Sequence, residues 1–448
     1  MIIKNRTSLL RSGAVEPKKV AMDLFEEAIN SALPYKAIMD HLKVKGDSLF
    51  AGEVEYDLAS IDRVLVIGGG KASFGMAKSV ESALGSLVDA GLIVTKRGGV
   101  KGSLDKVKIR EASHPVPDLA GVKATEELLE IAERASKRDL VIVLISGGGS
   151  ALLSCPVEGI ELSILQNLTE DLLESGASIE EINTLRKQLS RIKGGRLARA
   201  THPAKGLALI ISDVVGDDLR YIASGPTVPE DSRSEDALNV LKKYDLKDKH
   251  SRIAGLLKNK DPKTDPVGEE EFGEFDIENQ IVASNDTALS AMARKAEKMD
   301  INSIVLSSML KGESRRVGNL FGQLACSIYA EGHPLPRPSL LLSGGETTVT
   351  LSDNPGTGGP NQEFTLAAGR EIIGVPDSIV GAIDSDGEDG STGVAGGLMS
   401  GKEKVSRDEI NSYLRNHDSS RLLKEMDGAI ITGQTGTNVN DLRLAVVL

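Results

Sequence analysis

One local pattern recurs along the chain: a short apolar, β-branched run that ends abruptly in glycines carrying one polar residue. Arg63-Val64-Leu65-Val66-Ile67 leads into Gly68-Gly69-Gly70-Lys71-Ala72-Ser73. Leu140-Val141-Ile142-Val143-Leu144-Ile145 leads into Ser146-Gly147-Gly148-Gly149-Ser150, and Leu340-Leu341-Leu342 into Ser343-Gly344-Gly345-Glu346-Thr347-Thr348. A continuous apolar run marks a strand buried on both faces, and glycine lets the backbone turn sharply and approach an anion. In open α/β sheets ligands gather at those carboxyl ends. The pattern therefore points to an α/β enzyme or binder for a small phosphorylated or carboxylated ligand.

At 448 residues the chain exceeds one hydrophobic core, and two or three domains are expected. Pro17 suits a first helical turn, and Val20, Leu24, Ala28 and Leu33 make a helical stripe. Strands are expected at 63–67, 91–95, 140–145 and 207–211, with helices at 71–84, 120–136 and 162–175. Such alternation signals βαβ units and a mostly parallel sheet. Residues 247–279 are charged and turn-rich, including Lys258-Asn259-Lys260-Asp261-Pro262-Lys263-Thr264-Asp265-Pro266, and read as an exposed connection. A second alternation follows, with strands near 280–283, 303–306, 339–342, 347–351, 379–383 and 429–432 and helices at 286–298 and 314–331. Two α/β lobes are expected, the N-terminal one Rossmann-like with a mostly parallel sheet, enclosing a cleft that holds the active site. The expected domains are 1–265 and 266–448.

Lys and Arg number 53 against 65 Asp and Glu, a formal charge of −12, which argues against a general nucleic-acid or acidic-membrane surface. Cys155 and Cys326 match no zinc or disulfide spacing. With no secretory h-region and no run approaching the roughly 18 apolar residues of a membrane span, a cytoplasmic protein is expected.

Gly68-Gly69-Gly70-Lys71 fails two phosphate-loop patterns. A Walker A loop would need glycine at position 65, which is Leu. A dinucleotide fingerprint would need Gly or Ala at 73, which is Ser, and an acid after the next strand, where Lys96 and Arg97 stand. A lysine directly after three glycines at a strand end is nonetheless well placed to meet an anion. Ser178-Ile179-Glu180-Glu181 is a capping box. The helix it starts is expected to run to Gly194-Gly195, burying Ile182, Leu185, Leu189 and Ile192 and aligning Arg186, Ser190 and Lys193 on another face. Arg186, Lys187, Arg191, Lys193, Arg196 and Arg199 concentrate positive charge there, enough to neutralise a carboxylate together with phosphates. Asp213, Asp217 and Asp218 follow one strand; Asp384, Asp386, Glu388 and Asp389 follow another. Such oxygen donors suit magnesium, which nucleotide phosphates bring. No Gly-x-Ser-x-Gly elbow surrounds Ser146, Ser150 or Ser343, no kinase His-Arg-Asp or Asp-Phe-Gly set occurs, and His114 reads as structural or substrate-orienting.

Taken in order, these segments resemble the glycerate 2-kinases of the MOFRL group, relatives of which were formerly labelled hydroxypyruvate reductases. The matching segments begin with Gly68-Gly69-Gly70-Lys71-Ala72, Ser113-His114-Pro115-Val116-Pro117-Asp118 and Ser146-Gly147-Gly148-Gly149-Ser150-Ala151. They continue through Asn183-Thr184-Leu185-Arg186-Lys187, Lys193-Gly194-Gly195-Arg196-Leu197, Ser212-Asp213-Val214-Val215-Gly216-Asp217-Asp218 and Ala223-Ser224-Gly225-Pro226-Thr227. The last are Ser343-Gly344-Gly345-Glu346-Thr347-Thr348, Asn361-Gln362-Glu363, Asp386-Gly387-Glu388-Asp389-Gly390 and Gly436-Thr437-Asn438-Val439-Asn440-Asp441.

The resemblance implies phosphorylation of D-glycerate at its 2-hydroxyl with ATP and Mg²⁺, in a monomer or homodimer acting on a small molecule without nucleic acid or membrane. Lys71, Arg186 and Asp213 are the expected catalytic residues. Gly68, Gly69, Gly70, Ser146, Gly147, Gly148, Gly149, Ser150, Lys193, Glu346, Asn361, Glu363 and Asn438 are expected to bind substrate or nucleotide, and Asp213, Asp386 and Asp389 the metal. Two departures stand out. The family's Gly-Gly-Arg-Asn-Gln-Glu is Gly358-Gly359-Pro360-Asn361-Gln362-Glu363 here, and its Pro-Thr-Asp is Ser391-Thr392-Gly393. The basic segment is expected to supply the charge missing at Pro360, through Arg191, Lys193 or Arg196. The competing readings are a nicotinamide-dependent hydroxypyruvate reductase and a non-catalytic sensor of sugar acids or nucleotides.

Overall fold

The computed structural model describes residues 1–100, 102–260 and 264–448. Its backbone divides into one unit of residues 37–282 and a second of residues 1–36 with 283–448. The first opens with an antiparallel meander, β1 (Leu42–Lys45), β2 (Ser48–Ala51) and β3 (Val54–Asp57). Its strands are too short for alternation to stand out in the sequence. The main sheet follows: β4 (Arg63–Gly69), β5 (Val88–Lys96), β6 (Val107–Ala112), β7 (Asp139–Ser146), β8 (Lys205–Ile211) and β9 (Ile277–Ala283), in the order β6-β5-β4-β7-β8-β9. From β6 to β8 every pairing is parallel.

All eight residues of β7 are buried, as an apolar run in a parallel sheet requires. Val141, Val143 and Ile145 join Leu128 and Leu129 of the helix Leu119–Glu133 in one apolar cluster. Each such side chain contributes roughly 1.5–3 kcal/mol on burial, so Val143→Asp would unfold this unit.

The second unit holds β10 (Asn302–Leu310), β11 (Ser339–Gly345), β12 (Ser378–Asp384), β13 (Gly396–Ser400), β14 (Ala429–Ile430) and β15 (Asp441–Val447), in the order β10-β11-β15-β12-β13-β14. β15 runs antiparallel to both neighbours and is buried throughout. The N-terminal helix Val15–Ala32 packs on the helix Asn285–Glu297 and on β12, β13 and β15. That packing assigns residues 1–36 to the second unit, so the divide is not the expected 1–265 and 266–448. The segment expected to be a connection supplies the helices Ser251–Lys258 and Glu269–Phe272 and the edge strand β9, which keeps 266–282 in the first unit. Residues 261–263 of that expectation lie outside the described residues.

One expected element is absent and another is shorter than expected. No strand forms at 347–351; Thr348 instead makes an isolated parallel bridge to Glu313, and its N–H donates to Gly312 O at 2.9 Å. The helix begun by the Ser178 capping box stops at Gln188. Tertiary hydrogen bonds divert the chain there: Val157 N donates to Leu189 O (3.1 Å) and Arg191 N to Cys155 O (2.8 Å). Among the described residues no helix is long and apolar enough to cross a membrane.

Candidate active site

The loops leaving β4 and β7 are tied together by hydrogen bonds. Lys71 N donates to Gly147 O at 2.8 Å, and Ala72 N to Ser146 Oγ at 3.1 Å. Gly68 and Gly69 belong to β4 itself, and Gly70 N donates to Val94 O at 3.1 Å. A Cβ at Gly68, Gly69 or Gly70 would lie 2.0 Å from Leu144 O, 2.7 Å from the Leu153 side chain or 2.1 Å from Ser146 Oγ, so close packing requires glycine at all three, and the next glycine turn is Gly147-Gly148-Gly149. Gly148 has φ +80°, and a Cβ there would come within 2.9 Å of His114 Cδ2 and 3.2 Å of Lys71 Cγ. At Gly147 a Cβ would lie 2.0 Å from Asp213 Oδ2. Lys71, His114 and Asp213 thus crowd one glycine turn at the carboxyl ends of β4, β7 and β8, because only a chain without side chains leaves them room.

Burial raises Asp213 above the ordinary carboxylate range, opposed by the Lys71 ammonium. Burial, then the Lys71 and Lys96 charges, push His114 down to about 4, so its imidazole is neutral at physiological pH. Ser150 Oγ lies 2.9 Å from Ser224 Oγ, which donates to Asn183 Oδ1 at 3.1 Å. That chain fixes the hydroxyl at the start of the short helix Gly149–Leu152.

Although the predicted helix face does not exist beyond Gln188, Arg186, Ser190 and Lys193 still meet. They line a cavity of about 470 Å³ together with His114, Gly148 and Ser150. Ser190 Oγ accepts from the N–H groups of Ile192 (3.2 Å) and Lys193 (3.3 Å), which turns the chain inward. Lys193 Nζ donates to Leu153 O at 2.7 Å. Burial, with Arg186 beside it, lowers Lys193 to about 7. Burial also lowers Arg186, which forms no side-chain ion pair among the described residues. The other basic residues are committed elsewhere. Lys187 pairs with Glu230, Arg199 with Glu271 at 2.6 Å, and the exposed Arg191 approaches Glu126 at 4.0 Å. Arg196 donates to the carbonyls of Lys187 (2.6 Å), Lys193 (3.1 Å) and Thr264 (2.8 Å). Of the three residues expected to supply the charge missing at Pro360, Arg196 is thereby spent on carbonyls, Arg191 lies exposed near Glu126, and Lys193 lines the cavity of the first unit.

In the second unit Pro360 opens the helix Pro360–Ile372. The nearby cation is one that sequence reasoning missed: Arg315 donates to both Glu363 oxygens (2.6 and 3.1 Å), and His417 Nδ1 lies 2.8 Å from Glu363 Oε1. Asp389 is a remote cap for this helix. Its oxygens accept from Asn361 N (3.0 Å), Gln362 N (2.9 Å) and Gln362 Nε2 (2.8 Å), which occupies the lone pairs a metal would use. Burial nevertheless raises Asp389 to about 6. Asn361 Nδ2 also reaches Asp441 Oδ1 at 2.6 Å, and Asp441 is paired with the fully buried Arg443. Burial and then Asp441 and Asp386 raise Asp384 well above the carboxylate range. Asp386 Oδ1 accepts from Glu388 N (2.9 Å), Asn438 Oδ1 from Asn440 N (2.9 Å), and Glu346 is exposed with its N–H on Leu310 O (2.9 Å). Among the described residues no three His, Cys, Asp or Glu side chains gather to hold a metal.

The fold and this site define an α/β protein of two units, the first presenting a glycine turn flanked by a lysine and a carboxylate. Residues 20–258 match a domain of unknown function, DUF4147, and residues 339–441 the MOFRL family. A glycerate 2-kinase of Pyrococcus horikoshii is 39% identical over 97% of this chain and 98% of its own length. A D-glycerate 2-kinase of Thermotoga maritima is 36% identical over 96% and 98%, and a putative hydroxypyruvate reductase of Agrobacterium vitis 39% over 86% and 99%. The crystal structure of a P. horikoshii protein superimposes with a TM-score of 0.86 at 38% identity, covering 96% of this chain and 98% of that one. A T. maritima glycerate kinase gives 0.85 at 36%, covering 96% and 99%. The chain belongs to the glycerate kinase family whose members carry the MOFRL domain.

Proposed function

We propose that the protein is an ATP-dependent glycerate 2-kinase that converts D-glycerate to 2-phosphoglycerate and ADP. The observation that carries this reading is the placement of Lys71 and Asp213 against the Gly147-Gly148 turn. Phosphoryl transfer asks for positioning and charge neutralisation rather than covalent chemistry. Asp213, raised by burial, takes the proton of the 2-hydroxyl as that oxygen attacks the γ-phosphorus and the bond to the β,γ-bridging oxygen breaks. Lys71 faces the charge on the transferring group. Arg186 and Lys193 hold the anionic ends of the reactants, and neutral His114 orients a substrate hydroxyl without adding charge.

Magnesium arrives with ATP. Hard carboxylate oxygens suit it, and an ion that keeps phosphates and waters needs only one or two of them, in keeping with the lack of a larger cluster among the described residues. Asp213 or Asp386 would hold it, and it would neutralise phosphate charge. Asp389 is set aside for this role because its oxygens cap a helix. Two free cysteines, one buried, support a reducing cytoplasmic setting.

The test incubates the protein with D-glycerate and ATP-Mg²⁺ and separates 2- from 3-phosphoglycerate by ³¹P NMR. Formation of 2-phosphoglycerate is expected. NADH oxidation with hydroxypyruvate and no phosphorylated product would overturn the reading in favour of a reductase.

A further inference from the structure

The cavity beside Gly148 is much larger than a three-carbon acid requires. Its volume of about 470 Å³ corresponds to on the order of fifteen water volumes, of which glycerate displaces only a few. Much of its lining is apolar, with Leu165, Leu168 and Leu172 from the helix Leu162–Glu174 and Ile182 and Leu185 from the helix Ile179–Gln188. A hydrophilic acid gains nothing from such a wall, whereas a flat ring with apolar faces and polar edges does. The charge count points the same way. Lys71 flanks the turn, and Arg186 and Lys193 line the cavity with no ion pair among the described residues, while a glycerate carboxylate carries only one negative charge. Gln166 also lines the cavity. One N–H of its amide donates to Pro117 O at 2.7 Å and orients the side chain, whose carbonyl oxygen can accept from an exocyclic amine.

Resting on the kinase reading, we propose that this cavity in the first unit is the nucleoside pocket. The purine of ATP lies between the two leucine-bearing helices, with its amine toward Gln166. The triphosphate runs out past Ser150 and Gly148 to Lys71, with Arg186 and Lys193 balancing its charge. D-Glycerate then meets the γ-phosphate at the Lys71–Asp213 end.

Two measurements on the full-length protein test this. Leu165→Trp adds an indole to the cavity from a partly buried position. It is expected to raise the Kd for ADP by calorimetry and the KM for ATP by about tenfold or more, with the KM for D-glycerate changed by less than about twofold. Inhibition by inorganic tripolyphosphate, which has no base, is expected to stay the same. Photolabelling of the unaltered enzyme with 8-azido-ADP needs no variant, and peptide mapping is expected to find the label within residues 162–189. A label in the second unit, or a Leu165→Trp effect confined to D-glycerate, would overturn the assignment and show the leucine wall to serve a larger acid. Those results would leave the kinase reading intact if 2-phosphoglycerate still forms. Its absence in the unaltered enzyme would remove both.

Discussion

Replacing Lys71 by alanine should separate the chemistry from the fold. The Lys71 backbone is fixed by the Gly147 carbonyl at 2.8 Å and its stem lies alongside Gly148, so the ammonium is aimed by the turn rather than by a partner side chain. Alanine keeps the backbone bond and removes one cation from a partly desolvated site. Loss of a single transition-state donor of this kind costs about 3–4 kcal/mol, a fall in kcat of roughly 10²–10³. The variant should carry a second signature. Lys71 opposes the burial that raises Asp213, so without it Asp213 titrates still higher and the acid limb of kcat/KM moves to higher pH. Arginine at 71 should recover less than about tenfold, because the neighbouring His114 ring leaves a planar guanidinium little room. Product formation followed by ³¹P NMR, with pH profiles from 5 to 9, measures both effects. A near-normal kcat with an unmoved acid limb, in protein of unchanged thermal stability, would refute the role.

Further outcomes are expected. Gly147→Ala puts a methyl where the Asp213 carboxylate sits, and should lower kcat/KM by more than about tenfold while stability falls little, read by kinetics beside a thermal melt. Lys193, brought down to about 7, should lose its proton in the free enzyme above that pH; the KM for ATP then rises through pH 7–8, and Lys193→Met should make it high and flat there. Asp389 is raised to about 6, so the native state holds a proton that the unfolded chain releases near pH 4. Stability should therefore fall as pH rises from about 4 to about 6, and urea midpoints of Asp389→Asn should lack that slope. Arg315→Ala takes the guanidinium from Glu363, whose side chain is 2% exposed, and leaves it the hydrogen bond with His417; urea unfolding should show a loss of about 2–4 kcal/mol.

Much of the sheet framework is legible in the sequence because it depends on local physics. The runs at 64–67, 140–145 and 340–342 are apolar without interruption since each strand is covered on both faces, and their glycines mark where backbones must touch. β15 escapes the same reading because Asp441 and Arg443 break its apolar pattern; they pair with each other inside the sheet, a fact no periodicity encodes. The end of the helix at Gln188 is likewise decided by residues 155–157, which compete for its carbonyl and amide groups. Arg186 and Lys193 were reached through charge density, and they do converge, although by a turn and not along a helix. Arg315 was missed because its partners lie 48 and 102 residues away. Asp389 carries a loop-tip carboxylate's sequence signature while working as a cap, since only the fold shows which N–H groups it meets.

The placement of β15 has a consequence for how the chain comes to be folded. The second unit is interrupted: its helix Val15–Ala32 is made before residue 37, and the strand between β11 and β12 is made after both of them and after β13 and β14. Until 441–447 arrive, β11 and β12 each lack a neighbour along one side, and the helix Val15–Ala32 lacks part of the surface it covers. The first unit has no such wait, since it is one uninterrupted stretch, 37–282. Synthesis should therefore yield a finished glycine-turn unit first, flanked by unpaired, apolar precursors of the other. Interrupting synthesis before residue 441 would act less like a trim than like the loss of a keystone, exposing two long apolar edges to aggregation.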